Sequence, residues 1–155
     1  MAQRILRVLV ADDSDDDRLL LAHYLRRLSG FELSGITLNG VETIAWLSGM
    51  PPYGNRKLYP FPDLLLLDNE MPGYSGMDVI RWLYDRPRHP VIVLWSDTPE
   101  LINHAKAHEL GAAVVCAKPT RRSDLGSILA RAFQLPVAPP PSEAHIFGFR
   151  QTFSQ

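Results

Sequence analysis

Four consecutive leucines, Leu64 to Leu67, run directly into an acid, Asp68, and no other stretch limits the fold so tightly. An unbroken apolar run of this length suits a strand covered on both faces, which belongs in a parallel sheet with helices on either side. Short apolar runs at Val8 to Ala11, Phe31 to Ile36, Val91 to Leu94 and Ala113 to Cys116 alternate with longer amphipathic segments. That alternation predicts an α/β, doubly wound, five-stranded parallel sheet.

The connecting segments carry helix signals. Ser14 can cap a first helix, with Asp15, Asp16 and Asp17 in the turn where the helix dipole favours acids. Leu20, Leu21, Tyr24, Leu25 and Leu28 recur at helical spacing before Gly30. Further helices are predicted over Val41 to Leu47, Met77 to Tyr84, Glu100 to Leu110 and Ser123 to Phe133. The last carries Leu125, Ile128, Leu129 and Ala132 as an apolar stripe. The stretch GMPPYGNRKLYPFP is too rich in proline and glycine for regular structure and predicts a long loop over 49–62. The expected organisation is one domain over residues 1–135, then a proline-rich linker and aromatic tail over 136–155. Phe147, Phe149 and Phe153 fall on one side of any extended strand in that tail.

Bulk properties exclude several classes. A formal net charge of -1 gives no electrostatic case for nucleic-acid binding. No apolar run approaches the roughly 18 residues of a membrane span. The N-terminal MAQRILRVLVADD is a poor secretion signal, since Arg7 breaks its apolar run. Cys116 is the only cysteine, so no intrachain disulfide forms. A cytoplasmic location is expected.

In a doubly wound sheet, ligands collect at the carboxyl ends of the strands. Strands one, three and five end in Asp12-Asp13, Asp68 and Lys118-Pro119, so carboxylates and an ammonium are expected on one rim. Clustered carboxylates repel and call for a cation, and an oxygen-rich set suits magnesium. A carboxylate accepts a phosphoryl group once the charge on the transferring oxygens is neutralised, for which Lys118 is a flexible point charge. Taken singly, Asp12-Asp13 reads as a helix cap and Asp68 as a turn residue; their joint occurrence with Lys118 favours a site.

The strings VADD, LLLLDNEMPGYSG and AKP, in this order and spacing, resemble the response-regulator receiver family over about residues 5–134. The resemblance implies a flavodoxin-like (βα)5 receiver fold and a non-enzymatic signalling module. It makes Asp68 the phosphoacceptor and Mg2+ the cofactor. Asp13 would be its main ligand, Asp12 would assist through water, and Asp68 and the Glu70 backbone carbonyl would complete the protein ligands. Met71, Pro72, Gly73 and Gly76 match the loop after the acceptor, Lys118 the family's lysine, and Pro119 its usual cis proline. The family places Thr or Ser at the end of strand four. The run PVIVL puts Trp95 there and a count from Asp68 puts Ser96 there; the apolar run fixes register more tightly than loop length and favours Trp95. The aromatic position three before the lysine holds Val115.

A sensor histidine kinase is the implied partner, and the 49–62 loop resembles that of small receivers serving bacterial phytochrome-type kinases. The apolar last helix and the tail point to a homodimer. No nucleic-acid or membrane partner is expected, nor is a DNA-binding module after residue 134. Two other readings stay open. One is a pseudo-receiver interaction module with a weak phosphorylation response, motivated by Trp95 and Val115. The other is a phosphatase of haloacid-dehalogenase type, disfavoured because Glu70 stands where its general acid Asp would be. His104 and His108 lack a third ligand and read as surface residues. Cys116 reads as a buried thiol, and Arg121-Arg122 as a solvated face or weak partner contact.

Overall fold

The structure, a computed structural model, describes residues 4–134. The expected linker and tail lie outside the described residues. Strands β1 (Leu6–Ala11), β2 (Phe31–Thr37), β3 (Leu64–Asp68), β4 (Val91–Ser96) and β5 (Ala112–Ala117) form one parallel sheet in the order β2-β1-β3-β4-β5. The chain first steps from β1 to β2, then crosses back to place β3 on the other side of β1. The strand order therefore reverses between β1 and β3, and open sheets of this kind bind ligands at the carboxyl ends of the strands beside such a reversal. Ala11 pairs with Leu67 there, and Asp68 with Trp95 on the next strand.

All five residues of β3 are buried, as the leucine run requires. Leu65 and Leu67 join Leu9, Ala11 and Leu94 in a core closed by Val79, Ile80, Leu83 and Ala107. Burying a leucine contributes roughly 2 kcal/mol, so the four hold β3 in place and fix where Asp68 emerges.

The helices of this unit are α1 (Asp15–Arg26), α2 (Gly40–Ser48), α3 (Gly76–Tyr84) and α4 (His104–Glu109). Ser14 accepts from Asp17 N, Asn39 from Glu42 N, and Ser75 with Asp78 forms a capping box, so each of the first three starts at a polar cap. A second compact unit begins at Pro119 and contains α5 (Arg122–Ala132). Leu125, Ile128, Leu129 and Ala132 are all buried. Arg121 pairs with Asp124 at 3.1 Å, which accounts for its charge locally.

Several expectations are corrected. The predicted fourth helix is broken into a 3-10 turn, Pro99–Leu101, and the six-residue α4. Ile102 is extended, and Asn103 accepts from Lys106 N at 3.0 Å, starting a new helix where continuation was expected. β4 runs on to Ser96, because backbone pairing with β3 and β5 continues past the apolar run. On α1 only Leu21 and Leu25 are buried, and Leu20 faces outward. Cys116 is half-buried. The cis peptide bond among the described residues is Pro51-Pro52, not Lys118-Pro119, which keeps the trans form that X-Pro bonds favour by about 0.5–1 kcal/mol. No helix among the described residues is long and apolar enough to cross a membrane.

Candidate functional site

Three strand ends deliver the site. Asp12 follows β1, Asp68 closes β3 and Lys118 follows β5. Asp12, Asp13 and Asp68 each place one carboxylate oxygen within 4.8 Å of the others. Asp12 and Asp68 are buried, while Asp13 is exposed at the mouth. Lys118 Nζ lies 3.2 Å from Asp12 Oδ2, 3.2 Å from Asp68 Oδ2 and 2.7 Å from Asp17 Oδ2.

Backbone groups hold the carboxylates in orientation. Ser14 N donates to Asp12 Oδ1 at 2.9 Å, and Glu70 N donates to Asp68 Oδ1 at 3.0 Å. Asn69 ties the acceptor loop to the start of α3: its side-chain oxygen accepts from Met77 N and its carbonyl from Gly76 N. Gly76 is needed by this closeness, since a Cβ there would stand 2.6 Å from Leu94 Cδ1 and 2.8 Å from the Asp68 carbonyl oxygen. Gly73 sits at φ 78°, a left-handed conformation suited to glycine.

The electrostatics are unbalanced. Burial, opposed by the Lys118 ammonium and reinforced by the Asp12 carboxylate, pushes the Asp68 carboxyl up to about 7. Burial also raises Asp12, against the lowering pull of the Ser14 amide and Lys118. For Lys118, burial alone would depress the ammonium. The hydrogen bond to Asp17 and the charges of Asp68 and Asp12 outweigh it and hold the group above its ordinary value. One ammonium thus faces an excess of carboxylates. Asp12 Oδ2 is buried and receives no hydrogen bond, its contact with Lys118 being an ion pair alone. An acceptor-only oxygen in this state fits a hard cation, and the all-oxygen donor set suits magnesium.

The structure brings together Asp12, Asp13, Asp68 and Lys118. Glu70 enters through its amide, while its side chain turns to Ser96, whose Oγ donates to Glu70 Oε1 at 2.6 Å. Ser96 Oγ also accepts from Thr98 N at 2.8 Å. Trp95 is the residue in register with Asp68; it is fully buried, and its indole N–H has no hydrogen-bond partner. Val115 lies buried on β5. His104 and His108 do not join a metal cluster: their rings bond the carbonyls of Pro99 and Ala112. Asp17 was missed as a site residue. Its only sequence signal is membership of an acidic first turn, which it shares with Asp15 and Asp16.

A family model described as the response regulator receiver domain matches residues 8–130. The protein-glutamate methylesterase/protein-glutamine glutaminase 2 of Koribacter versatilis (strain Ellin345) is 33% identical over 122 residues, 77% of this chain and 31% of that protein. The chain spans about a third of the length of the curated relatives it matches first. Among solved structures, the bacteriophytochrome response regulator RtBRR aligns with a TM-score of 0.69 at 21% identity, over 83% of this chain and 78% of that one. The phosphorylated cyanobacterial phytochrome response regulator RcpA aligns with a TM-score of 0.62 at 21% identity, over 97% and 99%. These two likenesses concern the fold.

Proposed function

The chain belongs to the response-regulator receiver family, and on that premise we propose that it accepts a phosphoryl group from a histidine kinase on Asp68, with magnesium, and signals through protein–protein contacts. The observation that carries this reading is the convergence of Asp12, Asp13 and Asp68 on one rim with Lys118 Nζ 3.2 Å from the acceptor carboxylate. An Asp68 oxygen attacks the phosphorus of a phosphohistidine. The O–P bond forms as the P–N bond breaks, and the imidazole nitrogen leaves with the bonding pair. Asp68 must be ionised to attack, and a cation in this carboxylate set lowers its raised pKa. Asp12, Asp13, Asp68 and the Glu70 carbonyl would hold magnesium, which supplies positive charge for the transferring oxygens. Lys118 presents its ammonium from the β5 side, already aligned on Asp68 Oδ2.

Incubation with magnesium and a small phosphodonor, read by intact mass, should show one added phosphate, absent in Asp68→Asn. Asp13→Ala should lose the magnesium-dependent labelling. Equal labelling of Asp68→Asn sinks the assignment.

The receiver domain is taken as residues 1–135, supported by a family match that reaches residue 130. We further read it as a cytoplasmic, non-enzymatic regulator that assembles as a homodimer. A phytochrome-type kinase is favoured as partner by the likeness to two phytochrome response regulators and by the 49–62 loop. A second reading, an interaction module with a weak response, rests on Trp95, in register with Asp68, taking the family's hydroxyl position in place of Ser96, and on Val115 at the aromatic position. Labelling of Asp68 without any change in partner binding or association state would select it.

A further inference from the structure

The long connection between α2 and β3 is irregular but firmly built. Trp46, Tyr53 and Tyr59 pack with ring centroids 5.1–5.2 Å apart, and Trp46 Nε1 donates to the Pro60 carbonyl at 2.9 Å. Arg56 closes the end of α2: Nη1 donates to the Trp46 and Tyr59 carbonyls, and Nη2 to that of Leu47. The loop thereby becomes one wall of a groove of about 490 Å³ between α2 and α3, within the range of specific ligand sites. Ile44, Leu47 and Leu83 give it an apolar lining, and Phe61 and Trp82 stand at its sides.

Its edge is cationic. The Arg88 guanidinium lies 4.3 Å from the Phe61 ring centroid, and the Arg86 guanidinium 4.3 Å from that of Trp82. Neither side chain has a hydrogen bond or ion pair with another described residue, and no carboxylate among them pairs with Arg56. Burial, and then the neighbouring Arg88 charge, holds the Arg56 guanidinium below its ordinary value. Three positive charges thus surround an apolar depression without a counter-charge. Stacking on the rings fixes Arg86 and Arg88 while leaving their N–H groups free to bind carboxylates.

The chemistry selects the occupant. The groove lies where α2 and α3 end, so helix carbonyls rather than N–H groups point toward it. A clustered phosphate would find no backbone cradle there. Guanidiniums already lie over Phe61, which leaves that ring poorly placed to stack a nucleobase. Separated carboxylates flanking an apolar anchor match both the rim and the floor. We infer that this groove binds an acidic segment of a partner protein, seating an apolar side chain on Leu47 and Leu83 and carboxylates on Arg86 and Arg88.

The groove lies at the amino-terminal ends of β3 and β4, the opposite pole from Asp68, so its occupancy does not rest on phosphorylation. The test is fluorescence anisotropy on the full chain, with a labelled peptide of Leu and Phe flanked by Asp and Glu. Control peptides carry Lys flanks or a Ser core, and ATP and a cyclic dinucleotide serve as competitors. The acidic apolar peptide should saturate, and Asp68→Asn should bind it as the parent does. Replacing both arginines (Arg86→Ala with Arg88→Ala) should weaken it about tenfold or more, with the thermal midpoint unchanged. Equal binding of either control peptide, tighter binding of a nucleotide, or an unchanged affinity in the double variant overturns the inference, as does absence of any binding.

Discussion

Replacing Asp68 by asparagine should stabilise the metal-free protein at neutral and alkaline pH, the reverse of what removal of a buried ion-pair member usually does. Asp68 is 2% exposed, and its carboxyl titrates near 7 instead of 3.8. The folded state therefore holds this proton over a range where the unfolded chain has released it. The contribution of Asp68 to stability is greatest below pH 4 and is lost as pH rises through about 7. At 1.36 kcal/mol per pKa unit, the full loss is about 4 kcal/mol; water at the rim reduces it to about 2 kcal/mol. Asparagine keeps the oxygen that accepts from Glu70 N and discards the charge. Urea unfolding followed by circular dichroism, in chelator at about pH 8, should place Asp68→Asn above the parent by that amount, with the gap closing as pH falls toward 4. Magnesium should raise the parent at about pH 8 and leave Asp68→Asn nearly unmoved. A variant less stable than the parent at about pH 8 in chelator would refute the argument that burial and Asp12 outweigh Lys118 at this carboxyl.

Three further outcomes are expected. Gly76→Ala should cost about 1–3 kcal/mol in the urea midpoint, because the new Cβ meets Leu94 and the Asp68 carbonyl at under 3 Å. Lys118→Met leaves Asp12, Asp17 and Asp68 without their shared cation and should cost about 2–4 kcal/mol at neutral pH, a loss that magnesium partly restores; no loss would show that Lys118 is not the site's counter-charge. Light scattering should show a dimer for the full chain and a smaller species for a chain ending at Leu135; equal masses remove any role for the tail in assembly.

Much of the fold was legible because the strongest patterns are tied to burial. Four leucines in sequence demand two covered faces, and β3 supplies them with every residue buried. Cap chemistry is equally local, and Ser14 stands where its side chain implies. The fourth helix failed for a local reason as well: Asn103 competes for the backbone, and apolar spacing carries no record of that competition. The site was legible as strand ends but not as pairings. Asp15, Asp16 and Asp17 are equivalent in composition, and only the rotation of α1 decides which meets the rim. Asp15 pairs with Arg18, whereas Asp17 reaches Lys118 across 101 residues of sequence. A contact that distant has no one-dimensional signature.

The ambiguity between Trp95 and Ser96 had a different origin. Apolar patterning ends β4 at Leu94, since it reads side chains, but the strand is extended by its backbone. The Trp95 carbonyl accepts from Asn69 N at 2.9 Å and the Ser96 carbonyl from Lys118 N at 3.1 Å. Those two carbonyls anchor, on either side of β4, the segments that carry Asp68 and Lys118. The spacing of acceptor and ammonium is therefore set by main-chain bonds that any non-disruptive residue at these positions would leave intact. The side chains of Trp95, Ser96 and Val115 thus bear on how a signal leaves the site, whereas the backbone of β4 determines whether the site forms.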